Sequence, residues 1–169
     1  MIKGIIFDFD GLMVETESSA FESVREIFSE LGIDLPAAVW AGIIGGSGSA
    51  TGGSNLVYSY LENQLGRTVD RELLRSRASG KHQARVNQLP ALPGVVDYIR
   101  DTRSIGLKLA VASSSSKSWV TGHLKRLDLL EAFQVVKTRE DVAHTKPHPD
   151  LFLSALNSLK LKPSEVFVL

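Results

Sequence analysis

The chain has 169 residues, of which 43% are hydrophobic and 22% charged, the proportions of a globular chain that buries a core of its own. Lysine and arginine together number 19, and so do aspartate and glutamate; the zero net charge argues against binding to nucleic acid or anionic lipid. The chain has no cysteine, which excludes disulfides, a thiolate metal site and a thiol nucleophile. Any metal must therefore have oxygen or histidine ligands.

The chain begins with a strand pattern. Residues 2–9 are rich in consecutive apolar and β-branched side chains, which is typical of a strand covered on both faces in a parallel sheet. Asp8 and Asp10 interrupt the apolar run early, so it is neither a signal-peptide core nor a membrane span. We therefore expect a cytoplasmic protein.

Helical patterns fill the next part of the chain. Ser19 and Glu22 have the spacing of a capping box, and apolar residues follow them at helical intervals. Two further helical patterns cover residues 56–65 and 70–86. The stretch is too long for a single crossover between strands, so we predict an all-helical domain at residues 16–87.

The remainder alternates strands and helices. Three more short apolar runs predict strands at residues 107–112, 133–136 and 166–169. Helical patterns lie between them, at residues 94–104, 119–127 and 149–159. Such alternation indicates a parallel α/β sheet. We predict a core formed by residues 1–15 and 88–169, into which the helical domain is inserted.

Two carboxylates end the first predicted strand. Asp8 and Asp10 are two residues apart, so both side chains point the same way, and Gly11 permits a tight turn after them. The carboxyl ends of parallel strands are where ligands bind. Paired carboxylates there can hold a hard cation, attack an electrophile and move a proton.

Other polar residues are expected at the same edge. Ser113 directly follows the second predicted strand, and Lys146 follows the third. We predict that Ser113, with Ser114 beside it, binds a phosphate group whose charge Lys146 neutralises. Taken singly, residues 114–116 also have the pattern of a solvated loop that caps a helix.

These motifs together resemble those of the haloacid dehalogenase superfamily, in its branch like β-phosphoglucomutase. The segment FDFDG at residues 7–11, Ser113 and the Lys146-Pro147 pair match the first three of four family motifs in order and spacing. The resemblance implies a Rossmann-like core with a helical cap. It also implies that Asp8 attacks phosphorus to form an aspartyl-phosphate, and that Asp10 protonates the leaving group and then activates water.

The same resemblance implies a Mg²⁺ cofactor. Asp8 would bind the ion through its carboxylate and Asp10 through its backbone carbonyl, while Ser113 and Lys146 would bind the phosphoryl oxygens. The fourth motif, an acidic pair after the fourth strand, is missing because the sequence stops at Leu169. We therefore expect a truncated chain that lacks the last strand and helices of the core, binds Mg²⁺ weakly and turns over poorly. The apolar residues 166–169 would then favour self-association.

A glycine- and serine-rich stretch at residues 45–54 lies in the predicted cap. It is not a nucleotide-binding loop, because Ser54 stands where the essential lysine of that motif belongs and no strand precedes the stretch. Within it, Gly46, Ser47 and Gly48 are candidates for contact with the substrate.

The sequence thus predicts a Mg²⁺-dependent phosphatase acting on a small phosphorylated metabolite, for example a sugar phosphate. A mutase is the alternative, but Ala20 and Gly48 stand where mutases of this branch have a histidine and a basic residue. Two alternatives of another class are an inactive scaffold and a phosphoryl-receiver-like binding module. The receiver is disfavoured because the third predicted strand carries no aspartate and the helical insertion has no place in that design.

Overall fold

A computed structural model describes residues 1–44 and 52–169. The chain divides into two compact units, which are described separately. One unit comprises Met1–Thr16 and Leu89–Leu169, and the other comprises Glu17–Gln88. None of the helices in the described ranges is long and apolar enough to cross a membrane.

The described part of the helical unit contains four helices, namely α1 (Thr16–Glu30), α2 (Ala37–Ile44), α3 (Gly52–Leu65) and α4 (Arg71–Val86). Ile27, Phe28 and Leu61 are fully buried at its centre. Helix α2 was not predicted. Helix α1 begins at Thr16, earlier than the capping-box pattern indicated, so Ser19 lies inside the helix, where its carbonyl accepts a hydrogen bond from the Ser23 hydroxyl.

Ion pairs join α1 to α4 on the surface of this unit. Glu26 accepts hydrogen bonds from Lys81 at 3.0 Å and from Arg85. The Lys81 ammonium, the largest influence, together with the Arg85 guanidinium holds the pKa of Glu26 below its usual value, against a smaller upward effect of burial. These pairs lie at the surface with side chains 35–41% exposed, so they contribute modestly to stability.

The other unit is an α/β sheet. Its strands are β1 (Gly4–Phe7), β2 (Lys108–Ala112), β3 (Val135–Lys137) and β4 (Val166–Val168), all parallel, in the order β3-β2-β1-β4. Between them lie helices α5 (Val95–Ser104), α6 (Lys117–Arg126) and α7 (Asp150–Leu159). The predicted parallel α/β fold is confirmed, and each observed strand overlaps its predicted run.

Strand β1 lies at the centre of the core and is covered on both faces, since Ile5, Ile6 and Phe7 are all buried. On one side, Ile6 packs with Leu151 and Ala155 of α7. Consecutive buried side chains explain why the first strand reads as an unbroken apolar run and not as an alternating one.

Gly4, at the start of β1, is closely surrounded by other atoms, and a larger side chain there tests this packing. A Cβ atom at Gly4 would lie 2.8 Å from Leu161 Cδ1 and 3.0 Å from the Lys108 carbonyl oxygen. Gly4→Val should therefore lower the free energy of unfolding by about 1–3 kcal/mol through overpacking, as measured by urea denaturation. Gly122→Ala in α6, where a Cβ atom meets nothing within 4 Å, should instead stabilise the chain by about 0.5–1 kcal/mol. A Gly4→Val variant as stable as the parent chain would contradict this packing.

Candidate active site

The carboxyl ends of β1 and β2 place two of the predicted residues side by side. Asp8 follows β1 and Ser113 follows β2, and these strands pair in register from Gly4 with Lys108 to Phe7 with Val111. Because parallel strands end at the same edge, both polar groups lie at one rim of the sheet.

A tight turn follows Asp10. Gly11 has a φ of 74°, a left-handed conformation that glycine adopts without steric cost. The Gly11 N–H donates to the Val14 carbonyl at 2.9 Å, and the Met13 N–H donates to the Phe9 carbonyl at 2.9 Å. These bonds fix the backbone just after the two acidic residues.

Asp8 forms an ion pair with Lys146. The lysine Nζ lies 2.7 Å from Asp8 Oδ1, and the Phe9 N–H donates to the same oxygen at 2.7 Å. Nζ also lies 5.3 Å from the centroid of the Phe152 ring, at a distance typical of a cation–π contact. Among the described residues, Asp8 Oδ2 has no hydrogen-bond partner, so this oxygen is available to a ligand.

Asp10 accepts hydrogen bonds on both carboxylate oxygens. Oδ2 accepts from the Ser113 hydroxyl at 3.2 Å and from the Ser115 hydroxyl at 2.6 Å. Oδ1 accepts from the indole Nε1–H of Trp119 at 3.0 Å. We call these four residues the Asp10 cluster. A carboxylate that accepts from three donors is held in one orientation.

The loop between β2 and α6 supplies Ser113 and Ser115, and α6 itself supplies Trp119. The Ser113 hydroxyl accepts from the Ser115 N–H at 3.0 Å, which folds the loop back on itself. Ser116 caps α6, its hydroxyl accepting from the Trp119 N–H at 3.3 Å. Trp119 therefore lies in the first turn of the helix, next to the strand ends.

The structure brings together Asp8, Asp10, Ser113 and Lys146. Ser114 lies in the same loop but is exposed, and Ser115 contacts Asp10 in its place. Gly46, Ser47 and Gly48 lie outside the described residues.

Sequence reasoning missed Ser115 and Trp119. Trp119 falls within the helical pattern predicted at residues 119–127, and nothing in the local sequence shows which way its N–H points. The run of four serines at residues 113–116 indicated that a hydroxyl would lie at this edge. The sequence does not show which of the four contacts Asp10, because that depends on how the loop folds.

Two other acidic residues near the third strand have structural partners. The Asp141 carboxylate accepts from the N–H and the hydroxyl of Thr138, both at 2.9 Å, and Glu140 accepts from the Lys117 N–H at 2.9 Å. Burial, the largest influence, raises the pKa of each carboxyl, but the hydrogen bonds outweigh it and both pKa values lie below their usual range. Asp141 therefore caps its own turn, and Glu140 binds the first N–H of α6.

The oxygen atoms at the rim suit a hard cation. Within the described ranges, no group of three or more acidic, histidine or cysteine side chains is arranged to hold a metal ion. Mg²⁺ does not require such a group, because it is commonly bound by one or two carboxylates with water and phosphate oxygens. The partly exposed Asp8 carboxylate at this rim fits this requirement.

The geometry can position a phosphoryl group. An ammonium group and a hydroxyl flank two carboxylates, and Asp8 and Lys146 have side chains that are 36% and 25% exposed, so an anion can reach them. The cation offsets the charge of a phosphate approaching the Asp8 carboxylate. Such a site can position phosphorus for attack by an oxygen nucleophile.

Comparison with known proteins supports this chemistry. The family model for haloacid dehalogenase-like hydrolases matches residues 5–169. YhcW of Bacillus subtilis (strain 168), provisionally named as a phosphatase, is 40% identical over 165 residues, covering 98% of this chain and 73% of that protein. A phosphorylated carbohydrates phosphatase of Thermotoga maritima is 26% identical over 177 residues, covering 99% and 75% respectively. A crystal structure from Thermotoga maritima, provisionally described as a β-phosphoglucomutase, gives a TM-score of 0.81 at 26% identity, covering 99% of this chain and 75% of that one.

The Asp8–Lys146 pair predicts how the site binds phosphate. Lys146→Met keeps an unbranched side chain of similar length but removes the charge, so affinity for inorganic phosphate should fall by about 10- to 100-fold, the value of a hydrogen bond to a charged group. Isothermal titration calorimetry measures this loss. Lys125→Met, at an exposed position in α6, should leave the affinity unchanged. Equal affinity in the two variants would contradict a role for Lys146 in binding phosphate.

Proposed function

Because the chain belongs to the haloacid dehalogenase-like hydrolase family, we propose that it is a Mg²⁺-dependent phosphatase that hydrolyses a small phosphorylated metabolite through an aspartyl-phosphate on Asp8. Its relatives include enzymes named as phosphatases, so action on a phosphorylated compound is the shared activity. Beyond this shared activity, we propose Mg²⁺ as the metal, Asp8 as the nucleophile and a small phosphorylated metabolite as the substrate.

The observation that carries the proposal is the 2.7 Å contact between Lys146 Nζ and Asp8 Oδ1. This contact joins two residues that are far apart in the sequence. It lies at the edge of the sheet where Ser113 also lies, at the end of the neighbouring strand. A carboxylate paired with a cation, as Asp8 is with Lys146, can meet a phosphate dianion without uncompensated repulsion. Asp8 is the better nucleophile of the two aspartates because Oδ2 has no described hydrogen-bond partner, whereas both oxygens of Asp10 accept hydrogen bonds.

The proposed reaction has two steps. First, an Asp8 carboxylate oxygen bonds to phosphorus while the bond from phosphorus to the leaving oxygen breaks, and Asp10 gives a proton to that oxygen. Asp10 then takes a proton from water as the water oxygen bonds to phosphorus and the bond to Asp8 breaks. Ser113 and Lys146 bind phosphoryl oxygens throughout.

Magnesium would be held by the Asp8 carboxylate and the Asp10 backbone carbonyl. When bound, it supplies positive charge that offsets the charge of the phosphoryl group and orients it. The Asp10 side chain remains in the Asp10 cluster and is not needed as a ligand.

We further propose that residues 16–87 act as a cap that contributes to the choice of substrate, with Gly46, Ser47 and Gly48 as its contact residues. A sugar phosphate is the favoured substrate, because one relative is named as a phosphatase of phosphorylated carbohydrates. A mutase remains the second candidate on the structural likeness to the protein described as a β-phosphoglucomutase. Release of inorganic phosphate, as opposed to an isomeric sugar phosphate, distinguishes the two.

Asp8→Asn tests the proposed nucleophile. Replacing the carboxylate should lower the rate of p-nitrophenyl phosphate hydrolysis by about a thousandfold or more, as losses of catalytic nucleophiles do. Asp128→Asn, at an exposed position of the same unit with φ of 58°, is the matched control and should keep full activity. In the parent chain, a chelator should abolish hydrolysis and added Mg²⁺ should restore it. Undiminished turnover by Asp8→Asn would refute the assignment, and a parent chain without turnover would favour the scaffold alternative.

We also propose that the open edge of β4 pairs with a second copy of the chain. In the described sheet β4 pairs only with β1, and the side chains of Phe167, Val168 and Leu169 are 60%, 52% and 44% exposed. An unpaired strand edge with apolar side chains is a template for strand addition, and the same edge on a second copy has the same unpaired backbone groups.

Light scattering coupled to size-exclusion chromatography tests this association. The mean mass of the parent chain should rise with concentration from monomer to dimer, and Phe167→Glu should suppress the rise by placing a charge on the open strand. Leu153→Glu, at a 48% exposed position on α7, is the matched control and should associate like the parent chain. A parent chain that stays monomeric, or a Phe167→Glu variant that still dimerises, would count against the pairing.

A further inference from the structure

Trp119 links the candidate active site to the buried layer beneath it. Its indole Nε1–H donates to Asp10 Oδ1 at 3.0 Å, and its ring meets the His123 ring edge-on, with centroids 4.4 Å apart and planes at 75°. His123 in turn stacks on Phe9, with centroids 6.2 Å apart and planes at 22°. Phe9 directly precedes Asp10 in the chain, so these three contacts and the peptide bond between Phe9 and Asp10 link four residues in a closed ring.

The members of this ring are fixed by their surroundings. Phe9 is fully buried and His123 is 3% exposed, so neither ring can move without disturbing the core. The first turn of α6 is held by the Ser116 cap on the Trp119 N–H. The indole N–H is therefore aimed at Asp10 by packing on one side and by helix capping on the other.

We propose that Trp119 is a positioning residue for Asp10, holding its carboxylate in the orientation from which it transfers protons. This inference rests on the proposed function, in which Asp10 acts as acid and then as base. A carboxylate on a side chain with two rotatable bonds samples many orientations, and a donor fixed in the core removes that freedom before the substrate arrives.

The two carboxylate oxygens of Asp10 have different hydrogen-bond donors, and this difference indicates which oxygen carries the proton that Asp10 transfers. An indole N–H donates and cannot accept, whereas the Ser113 and Ser115 hydroxyls both donate and accept. The indole cannot accept a hydrogen bond from a protonated Oδ1, whereas the serine hydroxyls can accept one from a protonated Oδ2, so the transferable proton is assigned to Oδ2. In the first step the proton leaves Oδ2 for the leaving oxygen as the phosphorus–oxygen bond breaks, and in the second step Oδ2 takes a proton from water. Oδ2 lies beside Ser113, where the phosphoryl group is held.

Two variants separate positioning from a general structural effect. Trp119→Phe retains an aromatic ring against His123 but removes the N–H donor. Trp40→Phe makes the same change at the chain's other tryptophan, which packs against Phe21 in the helical unit. Both are assayed with phenyl phosphate, whose leaving group needs a proton, and with p-nitrophenyl phosphate, whose leaving group departs readily as an anion.

For Trp119→Phe, kcat/KM with phenyl phosphate should fall by about 10- to 100-fold, the value of a hydrogen bond to a charged group. With p-nitrophenyl phosphate it should fall by less than about threefold, because proton donation contributes little to that bond cleavage. Trp40→Phe should match the parent chain on both substrates. Equal losses on the two substrates, or no loss on either, would overturn the positioning role.

Nuclear magnetic resonance tests the contact without any turnover. The Trp40→Phe chain, labelled with ¹⁵N, has one indole N–H resonance, that of Trp119, and Asp10→Ala should move it upfield by removing its acceptor. A resonance unmoved by Asp10→Ala overturns the inference. The proposed function fails separately, if the parent chain hydrolyses neither phosphate ester or if Asp8→Asn hydrolyses them as well as the parent does.

Discussion

The parallel pairing of β1 with β2 is the constraint on which the rest of the site depends. In-register pairing from Gly4 to Phe7 brings the two strand ends to one rim, so Asp8 and Ser113 become neighbours although about a hundred residues separate them in the chain. Lys146 then reaches Asp8 from the segment before α7. Buried side chains on both faces of β1 make this register costly to change, since any slip would displace Ile5, Ile6 and Phe7 from the core.

Two aspartates of the same motif have different surroundings, and this difference separates their chemistry. Asp8 faces a cation and has one oxygen without a described partner. Asp10 is enclosed by three neutral donors from the loop and first turn of α6. A carboxylate beside a cation suits attack on an anionic phosphoryl group, whereas a carboxylate held by neutral donors suits the exchange of a proton. Asp8 and Asp10 have identical side chains, and the difference between their neighbouring groups gives them distinct roles.

Much of this arrangement could be predicted from the sequence, because buried parallel strands read as apolar runs and the polar residues that follow them share an edge. Helix α2 was not predicted, since its short and uniformly apolar sequence has no alternation of polar and apolar faces. The predicted start of α1 was too late, because Ser19 and Glu22 have the spacing of a capping box although both lie inside the helix. Trp119 falls within a predicted helical pattern, and its ring packs against His123. The contact of His123 in α6 with Phe9, just after β1, accompanies the hydrogen bond from the indole N–H to Asp10, and these are tertiary contacts.

Chemical trapping of the phosphoryl-enzyme tests the central claim most directly. The chain is quenched with acid during turnover of p-nitrophenyl phosphate, then reduced with borohydride, which converts an aspartyl-phosphate into homoserine, and the modified residue is located by peptide mass spectrometry. The site described above predicts homoserine at residue 8 and unmodified Asp10. Homoserine at residue 10, or turnover with no modified aspartate in the quenched chain, would contradict a covalent role for Asp8.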